Sequence, residues 1–131
     1  MIFNFTRKDF EEWENFKGTT FSRRLEFETA FDGIVKVYSL QTDDDKINKL
    51  LKGLFFHRFA FQTHSGVLLR QFHNKKSWPK TKLVHLNLDS HNLNVIKETN
   101  SSYDTWTVDY LGDDKLLVRL SPNEQIEYEN K

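Results

Sequence analysis

The chain has 131 residues, 37% hydrophobic and 29% charged, which fits one globular domain over residues 1–131 and excludes a disordered chain. Lysine and arginine (19) balance aspartate and glutamate (19), so no global field draws it to nucleic acid or to an anionic membrane. Cysteine is absent, which excludes disulfides, thiolate zinc sites, thiol catalysis and iron–sulfur clusters and fits a reducing compartment.

The run from Met1 to Asp9 turns charged before it forms an apolar core long enough for a signal peptide, and no stretch reaches the length of a bilayer span. The expectation is a cytoplasmic protein, or a stromal one in a plastid. Asp9 is placed to cap a short helix through Phe16. Phe10, Trp13 and Phe16 recur on one helical face and Gly18 ends it. Thr20 to Phe31 alternates as a long strand. Phe21, Arg23, Leu25, Phe27, Thr29 and Phe31 share one face; Ser22, Arg24, Glu26, Glu28 and Ala30 share the other. Asp32-Gly33 signals a hairpin, and Ile34 to Leu40 returns. Thr42 before Asp43-Asp44-Asp45 starts a helix whose buried stripe is Ile47, Leu50 and Leu51, closed by Gly53.

Further strands are expected at Leu54 to Gln62, Val67 to His73, Lys82 to Asp89, Leu93 to Thr99, Tyr103 to Leu111, Lys115 to Ser121 and Gln125 to Tyr128. Polar or glycine-bearing turns separate them. Eight or nine short strands joined by hairpins form either a sandwich or a meander closed on itself. The expected fold is mainly β: an antiparallel meander closed into a small barrel, with one or two short helices. An aromatic share of 15% suits an all-β core or an aromatic-lined cavity.

Candidate functional residues are sparse. The strand arginines are Arg23, Arg24, Arg58, Arg70 and Arg119, and alternation puts Arg24 on one side with Glu26 and Glu28. That side faces solvent if the phenylalanines form the core, or lines the pocket if the barrel interior is the polar side. The histidines His57, His64, His73, His85 and His91 have no metal-ligand spacing, so no metal is expected. No G-x-S-x-G and no glycine-rich phosphate loop occurs. Lys75-Lys76-Ser77-Trp78-Pro79-Lys80 mixes cations with an aromatic ring, but zero net charge favours a solvated loop over a nucleic-acid surface.

Gly18-Thr19-Thr20-Phe21-Ser22-Arg23-Arg24 resembles the G-x-W-x-S-x-R segment that opens S-type phycobiliprotein lyases, which are lipocalin-like (calycin) barrels. Val37-Tyr38-Ser39-Leu40, Asp43 to Ile47 with Leu50-Leu51, Gly66-Val67-Leu68-Leu69-Arg70 and Ser121-Pro122-Asn123 are similar to later segments of that family. The resemblance implies a protein that binds an open-chain tetrapyrrole (bilin) and transfers it to a cysteine of an apo-phycobiliprotein, with no cofactor beyond the bilin substrate. It implies Arg24, with Ser22 and Arg70, at the ligand propionates. Trp106 and Tyr110 would line the cavity, and Glu26 would be the catalytic carboxylate that favours protonated pyrrole nitrogens. Partners would then be the bilin and the acceptor subunit, with a homodimer also allowed. Two readings stand beside this one. The first is a non-catalytic carrier of another apolar molecule; the second is a solid-core interaction or inhibitor domain whose surface does the work.

Overall fold

A computed structural model describes residues 9–28 and 35–129. They form β1 (Glu11–Phe16), β2 (Thr19–Glu28), β3 (Lys36–Thr42), α1 (Asp45–Leu51), β4 (Phe55–Gln62), β5 (Gly66–Phe72), β6 (Thr81–Asn87), β7 (Asn92–Thr99), β8 (Thr107–Gly112), β9 (Lys115–Ser121) and β10 (Glu124–Glu129). Strands β1 to β7 make one antiparallel sheet in sequence order, and β8 to β10 make a second of three strands. No helix among the described residues is long and apolar enough to cross a membrane. The expected turn at Asp32-Gly33, the strand end Thr29 to Phe31 and Ile34 lie outside the described residues.

The segment expected as a helix from Asp9 to Phe16 is instead strand β1. A bulge explains the misleading period. Glu12 pairs with Ser22 and Glu14 with Phe21, so Trp13 is an extra residue without an opposite number. The insertion breaks period two and brings Trp13 and Phe16 together, ring centroids 5.9 Å apart, as a helix would. Gly18 ends no helix. With Lys17 it forms the two-residue β1–β2 turn, both at positive φ (50° and 84°), as a primed hairpin turn requires. Asn15 Oδ1 accepts the Gly18 N–H at 3.0 Å.

The one α-helix among the described residues is capped by Asp44 rather than Thr42. Asp44 Oδ1 accepts from the Lys46 and Ile47 backbone N–H groups, while the Thr42 hydroxyl accepts from the Asp44 N–H one step earlier. Its apolar residues Ile47 and Leu51 are fully buried against the sheet. The strand expected from Tyr103 begins only at Thr107, because residues 100–106 cross from one sheet to the other.

Packing divides by the two faces of β5, every residue of which is buried. Val67 and Leu69 join Phe16, Phe21, Leu40, Ile47, Leu51, Phe56, Val84 and Leu86 on one face. This cluster sits inside the curl of the seven-stranded sheet, whose β1–β2 turn reaches far enough over for the Lys17 N–H to donate to Gln62 Oε1 at the end of β4. On the other face Leu68 and Leu83 meet Trp106, Leu116, Val118 and Leu120 of the second sheet. Each such side chain contributes about 1.5–3 kcal/mol when removed from water. Close approach also fixes a glycine: a Cβ at Gly66 would fall 1.9 Å from the Leu86 carbonyl oxygen of β6.

The expected meander is therefore present, but neither sheet of described residues closes into a barrel. After β7 the chain lays its last three strands across the face of the first sheet instead of returning to β1.

Candidate functional site

Two polar constellations stand out. The first is on β2 and β3. Arg24 lies opposite Ser39, and Glu26 is the extra residue of a second bulge, between the pairs Leu25–Tyr38 and Phe27–Val37. The bulge turns Glu26 back toward its neighbour. Arg24 Nε donates to Glu26 Oε2 at 2.6 Å, and Ser39 Oγ donates to the same oxygen at 2.6 Å. Burial pushes the Glu26 carboxyl up, but those two hydrogen bonds and the charges of Arg24 and Lys75 outweigh it and hold it below its usual range. The guanidinium also lies 4.6 Å over the Phe10 ring. Phe10, Arg24, Ser39, Leu40, Asn48 and Leu51 line an open groove where α1 leaves β3.

The second constellation joins the sheets. Arg70 projects from the middle of β5 and is fully buried. Its Nε donates to Thr81 Oγ1 at 2.9 Å, Nη1 to the Tyr103 and Asp104 carbonyls at 2.9 and 3.4 Å, and Nη2 to the Ser101 carbonyl at 3.1 Å. The Trp78 and Trp106 rings cover it, at 4.7 and 4.0 Å from the guanidinium carbon to the centroids. Burial pushes the guanidinium down to about 9, with Asp104 opposing and Arg58 adding to the shift, so Arg70 stays cationic at neutral pH.

Beside it a three-residue irregularity in β4 lies between the pairs Phe56–Gln71 and Ala60–Leu69. The His57 ring accepts the Phe59 N–H at Nδ1 (3.0 Å), which assigns the proton to Nε2, the donor to Asp104 Oδ1 at 2.8 Å. Burial pushes His57 down to about 4 against the Asp104 hydrogen bond. Arg58 grips both Asp104 oxygens, at 3.2 and 2.7 Å. Burial pushes Asp104 up, yet the Arg58 and His57 hydrogen bonds leave it lowered.

Of the residues singled out in the sequence, Arg24 and Glu26 are brought together, with Ser22 next to Arg24 on the same strand. Arg70 and Trp106 form a separate pair, and their contacts run to the chain itself. Trp106 is buried, and its Nε1 has no acceptor among the described residues. Tyr110 stands apart from both groups, 65% exposed on β8. Sequence reasoning passed over His57, Arg58, Asp104 and Trp78 as a unit. Nothing in their spacing joins them, because Asp104 meets β4 only through the crossover.

The geometry offers chemistry of two kinds. The Arg24–Glu26 pair presents a cation and a carboxylate at a groove with apolar walls. The Arg70 junction has its donors committed to the fold, and its histidine has both ring nitrogens occupied. Among the described residues no group of three or more metal-ligating side chains occurs. The chain matches no protein-family model, no curated protein and no solved structure.

Proposed function

We propose that this chain is a binding module that works through its surface rather than through an internal cavity. The observation carrying this reading is the double burial of β5: side chains fill both the curl of the first sheet and the space under the second. What is left for recognition is outside. Tyr110 and Leu111 on β8 are 65% and 47% exposed, large apolar groups at the strand's open edge. The test is uptake of apolar ligands, with phycocyanobilin, haem and oleate titrated into the full chain and followed by absorbance and calorimetry. No saturable one-to-one uptake is expected; such uptake of any of the three overturns the reading.

A second reading has its own support in the Arg24–Glu26 pair at the open groove. Here the seven-stranded curl is the wall of a lipocalin-like barrel, in the manner of the S-type bilin lyases. Arg24 meets a bilin propionate, and Glu26 favours the protonated chromophore that a cysteine of an apo-phycobiliprotein would attack. Saturable binding of phycocyanobilin or phycoerythrobilin with a red-shifted band, weakened by Arg24→Ala, favours this reading. An unchanged spectrum removes it.

A further inference from the structure

Buried polar side chains in this fold find partners inside it, with one exception on the first sheet. Among the described residues eight polar or charged side chains are buried, and seven of them hydrogen-bond within the chain. The eighth is Gln71 of β5, 7% exposed, whose amide makes no hydrogen bond among them. An amide stripped of water and left unpaired is a standing cost.

Register sets Gln71 in a row. Tyr38 of β3 lies opposite Phe56 of β4, Phe56 opposite Gln71, and Gln71 opposite Lys82 of β6. Directly opposite side chains share a face. Here it is the inner face of the curl: Tyr38, Gln71 and Lys82 lie two residues beyond Leu40, Leu69 and Val84 of the inner cluster, all at the same end. Arg23 of β2 reaches that end too. It alternates with the buried Phe21, and its guanidinium carbon lies 4.3 Å from the Tyr38 ring centroid and 5.0 Å from that of Trp13. The apolar filling of the curl therefore gives way, at one mouth, to Arg23, Tyr38, Gln71 and Lys82. None of these four side chains makes a hydrogen bond or ion pair among the described residues. Two carboxylates stand near. Glu98, opposite Lys82, is 66% exposed and turns to His73 at 3.5 Å. Glu11, opposite Arg23, is exposed as well, and neither lies within ion-pair distance of Arg23 or Lys82.

We propose that this mouth of the curl binds a phosphate monoester, with Arg23 and Lys82 on its charge and the Tyr38 hydroxyl and Gln71 amide on its remaining oxygens. Neither reading above uses this site, and the proposal rests on neither.

Charge and hydrogen-bonding inventory choose the occupant. Guanidinium and ammonium groups only donate, and the phenol and the amide each add a donor, so the group they meet must be rich in acceptors. Two cations call for about two negative charges, which a phosphate monoester carries near neutral pH on a cluster of acceptor oxygens. A single carboxylate supplies only half of that. The Trp13 and Tyr38 rings hold the guanidinium without consuming its N–H groups, which leaves its fork for bidentate contact with the phosphate. Val95 offers apolar support to the organic part of the ester, since it lies opposite Val84 on the same face and is 55% exposed.

The test is isothermal titration calorimetry of the full chain with phenyl phosphate. Wild type should give saturable one-to-one heat at up to about 10 mM ligand. Arg23→Gln and Lys82→Gln should each weaken binding by about tenfold or more, and Lys82→Gln carries the test alone if Arg23→Gln does not fold. Lys97→Gln, at an exposed lysine of β7, should bind as wild type does. Benzoate should bind about tenfold more weakly than phenyl phosphate. Gln71→Leu separates recognition from structure: it should bind more weakly by about fivefold, yet unfold at a higher temperature than wild type because the unpaired amide is gone. No saturable heat with wild type overturns the proposal. So does binding unchanged in Lys82→Gln or Gln71→Leu, binding weakened as much in Lys97→Gln, or benzoate held as tightly as phenyl phosphate.

Discussion

Replacing Arg70 with methionine tests whether the guanidinium is a structural clamp. Methionine keeps most of the apolar stem between Trp78 and Trp106 and removes the charge. Four hydrogen bonds go with it, three of them to carbonyls of the crossover. Hydrogen bonds from a charged donor are worth about 1.5–3 kcal/mol each, so the gross loss is roughly 6–12 kcal/mol. Against this, the variant no longer strips a guanidinium of water, which costs several kcal/mol. Contact with two indole faces adds about 1–2 kcal/mol to the native side. The terms leave a net destabilisation of about 3–5 kcal/mol, the range found when one partner of a buried ionic contact is removed. Urea unfolding followed by circular dichroism would show this as a fall in midpoint of about 1–3 M with the slope unchanged. Arg70→Lys should lose nearly as much, because an ammonium cannot span Thr81 and the crossover at once. A methionine variant as stable as wild type would refute the reasoning and mean that desolvation dominates.

Acid should act first at His57. Its folded value of about 4 lies below the ordinary 6.5, so the unfolded chain takes up a proton that the folded chain refuses. Stability is therefore flat above pH 6.5 and falls as pH drops toward 4, by up to about 3 kcal/mol. His57→Gln should flatten that slope in chemical denaturation at pH 4.5 and 7, and a slope retained in the variant would remove the assignment. Gly66→Ala should cost at least 2 kcal/mol, on the order expected for a forced backbone shift, because the Leu86 carbonyl is backbone and cannot swing aside; a thermal midpoint within a degree or two of wild type would refute it. Asp44→Ala should cost about 1 kcal/mol through loss of the helix cap, with Asp44→Asn recovering most of it. An equal loss in the asparagine variant would point to the His91 contact instead.

Much of the strand order could be read in the sequence because period-two alternation and short turns are local signals. The turn at Gly112-Asp113-Asp114 is an example: Gly112 pairs with Lys115, and the two aspartates sit at φ 52° and 61°. Bulges are where reading failed. One extra residue at Trp13 mimics a helical period, and no residue type announces it. Sheet membership was equally hidden. Val67 to Phe72 is an apolar run broken only by Arg70 and Gln71, the signature of a strand covered on both faces, yet it does not say what covers it. Only the resemblance of Gly66-Val67-Leu68-Leu69-Arg70 to the lyase segment pointed Arg70 at a ligand propionate. Three of its four acceptors are main-chain oxygens of residues 101–104, which carry no side-chain signal, and the fourth is the Thr81 hydroxyl of β6. The Arg24–Glu26 contact was foreseeable from spacing, although the bulge at Glu26 that tightens it was not.

The burial of both faces of β5 also constrains how the protein is made. Leu68 and Leu83 leave the ribosome well before Leu116, Val118 and Leu120, their cover. During synthesis the seven-stranded sheet can zip up hairpin by hairpin while its second face stays bare. Nascent chains stalled before residue 115 would thus present a wet apolar surface to chaperones and to one another, and that surface would vanish once β9 emerged. Premature termination in the last third should accordingly yield insoluble protein rather than a smaller working domain.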